Sequence, residues 1–248
     1  MTDHWEFFPT TLDEHVAVVL FDQGIADELP LDGLPVAMRL RIELKHPRED
    51  GLHAPRETKA LEVLEEAIRT HCEESDIAWV GRITSDGARV YFVYVDDADA
   101  RAEAFDAIIS DKHGYEWAYA ATDDQAGQVY WDELFPSEVE WQVIKNRHVI
   151  EVLRDSGDAL TAARRVDHWA WFGDDEARRR FIARLEADGY HIDSYIDPDA
   201  DNDGFGVQFY HTMTPTEPDM YAVTLALAAA AAELTGEYDG WETAVITT

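Results

Sequence analysis

The run Asp199-Ala200-Asp201-Asn202-Asp203-Gly204 has the residue types and spacing that come nearest to a cation site in this chain. Asp199, Asp201 and Asp203 offer carboxylates at alternate positions ahead of a glycine, as in the first half of a helix-loop-helix calcium loop. The second half departs from that order. Tyr210 stands at the twelfth position, where a bidentate glutamate is needed, and the flanking residues read as strands rather than helices. A solvated acidic hairpin loop accounts for the run, with a weak calcium or magnesium site as the alternative. No metal or cofactor is expected.

The ten histidines include no H-E-x-x-H or other ligand spacing. His168 and His211 fall on neighbouring expected strand ends and can meet in space, together with Asp239. Hydrogen-bonded structural histidines are the commoner outcome of such a placement. His71 and Cys72 are adjacent on an expected helix, so they face different directions and form no nucleophilic dyad. No phosphate-binding loop, G-x-S-x-G or dinucleotide glycine set is present; Gly204-Phe205-Gly206 lacks the third glycine and the following helix. No catalytic residue is assigned, and the chain is not expected to be an enzyme.

The elements that would position these residues follow from hydrophobic periodicity. Between residues 165 and 246 the period switches from two to about 3.6 and back, twice. That is a βαββαβ unit, a ferredoxin-like sandwich. Its strands are expected at 165–172, 190–196, around Phe205-Val207-Phe209, and at 238–246, where Gly240 is a candidate bulge. Its first helix carries Ala177, Phe181, Ile182 and Leu185 on one stripe, with Arg178, Arg179, Arg180 and Arg184 on the wet side. Its second carries Met220, Val223, Leu227, Ala230 and Leu234.

Ahead of it, Phe135-Pro136-Ser137 marks a boundary, and Ser137 with Glu140 reads as a capping box for a helix to about 155. Residues 16–21 form an apolar, β-branched run, as in a strand buried on both faces. Residues 36–45 alternate, as in a strand with one wet face. A helix is expected at 57–74, a hairpin over 77–95 through Asp86-Gly87, a helix from Asp97 or Asp99 to about 111, a strand from Tyr115, and a short strand at 127–131. The fold class is therefore α+β with two domains. Residues 1–135 form an antiparallel-sheet domain and 136–248 a ferredoxin-like domain with a lead-in helix. A faint repeat pairs Asp97 to Arg101 with Asp174 to Arg178, Gly114-Tyr115 with Gly189-Tyr190, and Tyr130 to Pro136 with Phe209 to Pro215, at a spacing of 75 to 79 residues. Duplication of a βαβ unit and chance similarity both account for it.

The formal net charge is −32 over 248 residues, with 20 Lys and Arg against 52 Asp and Glu. Phosphate backbones repel such a chain, so direct nucleic-acid binding is not expected. A basic protein partner fits, because complementary potentials speed encounter and suppress wrong partners. Solubility or life at high salt explains the same charge. Cys72 is the only cysteine, which suits a reducing cytoplasm. Residues 1–8 lack a basic start followed by an apolar run, and 221–234 falls short of the roughly 20 residues that span a bilayer, so neither a leader nor a membrane segment is expected.

Several motifs carry a resemblance. His168-Trp169, Gly189-Tyr190, His211-Thr212-Met213 and above all Glu237-Tyr238-Asp239-Gly240-Trp241-Glu242-Thr243 resemble the bacterial RraB family, regulators (inhibitors) of ribonuclease E. The resemblance covers roughly residue 136 to the end, including the helix from Ser137 and Asp155-Ser156-Gly157-Asp158. Residues 5–135 resemble a bacterial domain family of unknown function that occurs in front of such units, through Trp5-Glu6-Phe7-Phe8, Arg89 to Tyr94 and Trp131 to Pro136. The resemblance implies a protein that binds the endonuclease at its Arg-rich C-terminal scaffold region and lowers or redirects RNA cleavage. The family has no known catalytic set to carry over, and the extra N-terminal domain is a departure from it.

The leading expectation is thus a cytoplasmic regulatory binding protein for a basic partner, a ribonuclease E-type endonuclease. Its surface would include His168, Trp169, His211, Tyr238, Asp239, Gly240 and Trp241, with Asp199, Asp201 and Asp203. The alternative is an enzyme or small-ligand binder using a cleft between the domains near His168, His211 and Asp239. A housekeeping protein of an acid-rich proteome is a third reading.

Overall fold

The computed structural model describes residues 2, 4–199 and 204–247. Met1–Pro136 and Ser137–Thr248 are two compact α+β units.

In the first unit, β1 (Trp5–Leu12), β2 (His15–Asp22), β3 (Val36–Glu43), β4 (Ala78–Ser85), β5 (Ala88–Val95) and β6 (Trp117–Asp123) form an antiparallel sheet in the order β1-β2-β4-β5-β3-β6. The alternation of β3 turns Met38, Leu40 and Ile42 onto one face, where they pack in one cluster with Leu61, Leu64 and Ile68 of helix α1 (Thr58–Glu74). Asp86 and Gly87 both take positive φ, the two-residue turn that matches strand twist, and join β4 to β5. Helix α2 (Ala98–Asp106), capped by the Asp97 carboxylate, runs on into a π-helical turn, Ala107–Lys112.

One strand is added to the expected elements and two expectations are corrected. Residues 5–12 form strand β1, hairpinned to β2 through Asp13 and Glu14, both at positive φ. Neither residue is the Asn-Gly or Asp-Gly that would announce such a turn. Residues 127–131 do not form a strand. Gln128–Glu133 is helix α3, because the Asp124 carboxylate accepts from the backbone N–H groups of Gln128 and Val129 at 2.7 and 2.8 Å and caps it. Residues 16–21, expected to be covered on both faces, alternate instead between buried and partly exposed positions, with Val16 44% exposed.

In the second unit, helix α4 (Glu138–Asp155) begins at the capping box that Ser137 and Glu140 form. It is followed by β7 (Arg164–Phe172), α5 (Asp175–Ala187), β8 (His191–Ile196), β9 (Phe205–Met213), α6 (Glu217–Ala232) and β10 (Glu237–Thr243). The sheet order is β10-β7-β9-β8 with every pairing antiparallel, which is the ferredoxin-like arrangement. Ala170, Phe172, Val207 and Phe209 pack under Phe181 and Leu185 of α5 and Leu227 and Ala231 of α6. Phe181 and Phe209 are fully buried, each stabilising the unit by about 1.5–3 kcal/mol relative to exposure.

Arg178 is not on the wet side of α5. It is 6% exposed, and its Nη1 donates to the carbonyls of Ile196 and Gly206 at 3.0 and 3.2 Å, so it clamps the helix to the ends of β8 and β9. Asp175 and Asp197 neutralise it.

The first unit contains the same topology. β3-α1-β4-β5-α2-β6 is a second βαββαβ, in the sheet order β4-β5-β3-β6, with the β1-β2 hairpin added beyond β4. The faint repeat in the sequence pairs the second βαβ of this unit with the first of the other, so its spacing is not the offset between equivalent strands.

Candidate functional site

Seven of the expected site residues, His168, Trp169, His211, Tyr238, Asp239, Gly240 and Trp241, lie on the three strands β10, β7 and β9, and strand parity decides which of them meet. Successive side chains point to opposite faces, so neighbours in sequence part company in space. On β7, Val166, His168, Ala170 and Phe172 point to the helices and are buried, while Asp167, Trp169 and Trp171 point to the other face and are half-buried.

On the helix side, His168 is 0% exposed. Its Nδ1 lies 2.8 Å from Tyr238 Oη and its Nε2 3.1 Å from His211 Nδ1. The ring stacks between Phe209 and His211, and Tyr190 meets it edge-on. A Tyr238 hydroxyl that donates to His168, which in turn donates to His211, satisfies the chain of groups. Burial, then the nearby His211, pushes the His168 imidazole down to about 3. Burial also lowers His211 and holds the Tyr238 phenol well above its usual range. A general acid or base works best near the operating pH, and the His168 imidazole and the Tyr238 phenol are both moved away from it. Their geometry is that of a satisfied buried tie.

Asp239 does not join the pair, contrary to expectation. Its carboxylate accepts from Trp171 Nε1 at 3.3 Å on the opposite face. Tyr238 takes the place beside His168, because one step along a strand reverses the face. Asp239 and Gly240 together oppose Trp169 in a β-bulge, and Gly240 has φ +149°, a conformation suited to glycine alone. Trp241 returns to the helix side, 6% exposed, where its Nε1 donates to Asn146 Oδ1 of α4 at 2.9 Å.

The opposite face therefore collects Trp169 and Trp171 on β7, Gln208 and Tyr210 on β9, and Glu237, Asp239 and Glu242 on β10. Trp171 lies over Gly206, where an added Cβ would stand 2.7 Å from its ring. Asp167 and Glu242 are directly opposed across the strands, a like-charge pairing that costs stability on its own. Arg165 offsets it by bonding Asp167 and Asp193 while its guanidinium sits 3.8 Å over the Tyr210 ring. An open groove continues along β10, lined by Lys145, His148, Trp169, Asp239 and Glu242. Trp171 was missed as a site residue from sequence, although the alternation His168, Ala170, Phe172 against Trp169, Trp171 carries the signal.

Asp199 is exposed, whereas Asp201 and Asp203 lie outside the described residues. Among the described residues no group of three His, Cys, Asp or Glu side chains is placed to hold a metal ion. Cys72 is buried and its thiol is pushed up to about 12 by burial, while His71 turns to the edge of Phe105. No helix among the described residues is long and apolar enough to cross a membrane.

The C-terminal unit is a ferredoxin-like sandwich whose buried groups around His168 are tied to one another and whose other sheet face is aromatic and acidic. The chain belongs to the family of unknown function DUF695, which matches residues 3–135, and its residues 143–243 match the family described as Regulator of ribonuclease activity B, as the resemblance of its motifs implied. No curated protein matches the sequence. Solved structures that match include one described as the crystal structure of an unknown protein from Galdieria sulphuraria, 11% identical, covering 85% of this chain and 98% of that one at a TM-score of 0.25.

Proposed function

We propose that the chain is a regulatory binding protein, not a catalyst, and that its C-terminal unit docks an Arg-rich segment of a ribonuclease E-type endonuclease and so lowers or redirects RNA cleavage. One observation carries this reading. Two half-buried indoles, Trp169 and Trp171, stand side by side on the open sheet face among Asp167, Glu237, Asp239 and Glu242. Guanidinium groups stack on indole faces, with about 0.5–2 kcal/mol from each such contact. The carboxylates supply the hydrogen-bond acceptors that a guanidinium needs.

The charge of the whole chain supports the same partner. At −32 it attracts a basic segment at long range and repels RNA, which leaves the substrate to the enzyme. A cytoplasmic setting fits the single buried Cys72. Calorimetric titration of the intact chain with the Arg-rich scaffold segment of such an endonuclease is the test. Binding at low ionic strength that weakens as salt is added is expected. The absence of binding at low ionic strength overturns the reading.

A further inference from the structure

The N-terminal unit holds a buried polar cluster that the docking face does not use. It lies on the α1 side of the sheet, where residues 44–57 cross over the end of β3. Its innermost residues are Arg89, Tyr91 and Tyr115, at 4%, 0% and 2% exposure. His53 and Arg82, both partly exposed, lie at its edge, with Glu65 against Arg82. Apolar packing could have closed this end of the core; two arginines and two tyrosines close it instead.

The balance of donors and acceptors is uneven. A single oxygen, Glu65 Oε2, serves both guanidiniums, 3.2 Å from Arg89 Nη1 and 2.6 Å from Arg82 Nε. Arg89 Nε donates to Thr84. The other nearby carboxylate, Glu57, is 2% exposed and spends its two oxygens on the backbone N–H groups of Lys45 and His46 at 2.9 and 2.8 Å. It fixes the covering loop rather than answering the arginines. Tyr91 Oη, Tyr115 Oη and His53 Nδ1 are left buried without a hydrogen-bond partner, and Arg82 Nε finds no aligned acceptor despite its short contact with Glu65. Each such group carries a desolvation cost that no well-aligned hydrogen bond offsets.

The local charge runs against the whole. In a chain of −32, two guanidiniums here face one carboxylate that is available to them, and both arginines lower the His53 imidazole after burial does. Burial pushes the Tyr91 phenol up to about 12, so it stays a donor at neutral pH. Donor groups in excess around two guanidiniums match one ligand chemistry, a compact oxyanion with several acceptor lone pairs.

We propose that the N-terminal unit binds a small oxyanionic ligand, through a carboxylate or phosphate group, on Arg82, Arg89, Tyr91, Tyr115 and His53. The site is distinct in residues and in unit from the docking face, and it gives the DUF695 half a ligand-sensing role that does not depend on the ribonuclease reading.

Thermal unfolding of the intact chain with inorganic phosphate, with acetate, and with chloride at matched ionic strength tests this. Phosphate, acetate or both raise the unfolding temperature beyond chloride, and which of them does so identifies the group. Tyr91→Phe is the informative variant, because it removes only the unpartnered hydroxyl. It unfolds at the wild-type temperature or above without the anion, yet its anion affinity falls about tenfold, as does that of Arg82→Gln. No shift beyond chloride with either anion, or wild-type affinity in both variants, overturns the proposal.

Discussion

Trp241 Nε1 donates to Asn146 Oδ1 at 2.9 Å, and Asn146 Nδ2 donates in turn to Thr224 Oγ1 at 2.6 Å. Gln142 Nε2 reaches the same Asn146 oxygen at 3.0 Å. One buried side chain on α4 thus joins the tryptophan of the closing strand to helix α6. Asn146→Ala leaves an indole N–H, an amide and a hydroxyl with lost partners in a site that excludes water. It is expected to destabilise the C-terminal unit by about 2–4 kcal/mol, read from chemical denaturation, with the N-terminal unit unchanged.

Gly206 lies beneath Trp171, and a methyl there meets the indole at 2.7 Å. Gly206→Ala is expected to keep the sheet and displace the ring. The check is the tryptophan emission and a fall in partner affinity without loss of the folded state. Gly240→Ala tests backbone rather than contact: nothing lies within 4 Å, yet φ is +149°. A cost of about 1–3 kcal/mol is expected from conformation alone.

The buried His168 imidazole makes stability depend on pH with a definite sign. Its native value is pushed down to about 3, while the unfolded chain titrates near the ordinary value of about 6.5. Between these the unfolded state binds the proton and the native state does not. Stability from this residue is therefore complete above about pH 6.5 and declines as pH falls toward 3, by up to about 1.4 kcal/mol per pH unit. Denaturant midpoints of the wild type and of His168→Phe across that window give the slope, which the variant flattens.

Asp158 and Arg164 form a buried pair, 1% and 5% exposed, that joins the residues after α4 to β7. The Asp158 carboxylate also accepts from the N–H groups of Leu160 and Ile246, both at 2.8 Å. The hydrogen bonds from Arg164 hold Asp158 well below the usual carboxylate range. Its contribution is whole above the unfolded value, near pH 4, and is lost as the pH falls below it. Asp158→Asn strands the guanidinium and is expected to cost about 3–5 kcal/mol at neutral pH, measured by denaturation.

Strong local periodicity made much of this fold legible. The alternation of residues 36–45, the Asp86-Gly87 turn and the Ser137 to Glu140 capping box lie where pattern and turn chemistry put them. What escaped depends on partners far away in sequence. Strand β1 turns through Asp13-Glu14, residues that seldom adopt positive φ, and α3 is capped by a carboxylate several residues upstream. Arg178 reads as surface by composition, but two backbone carbonyls from other strands bury it. His168 and His211 were brought together as adjacent strand ends allow, while Asp239 was set aside by a one-residue step and a bulge. The polar cluster around Arg89 and Tyr91 draws on separate segments and left no local signal.

The most direct measurement of the docking claim is RNA cleavage by a ribonuclease E-type endonuclease in the presence of increasing wild-type chain or the Trp169→Ala/Trp171→Ala double variant. The wild type is expected to alter cleavage in a salt-sensitive manner, and the folded double variant to need at least about tenfold more protein for the same effect, as the loss of two aromatic anchors requires. A double variant that alters cleavage as well as the wild type contradicts the account, whatever the anion site in the other unit does.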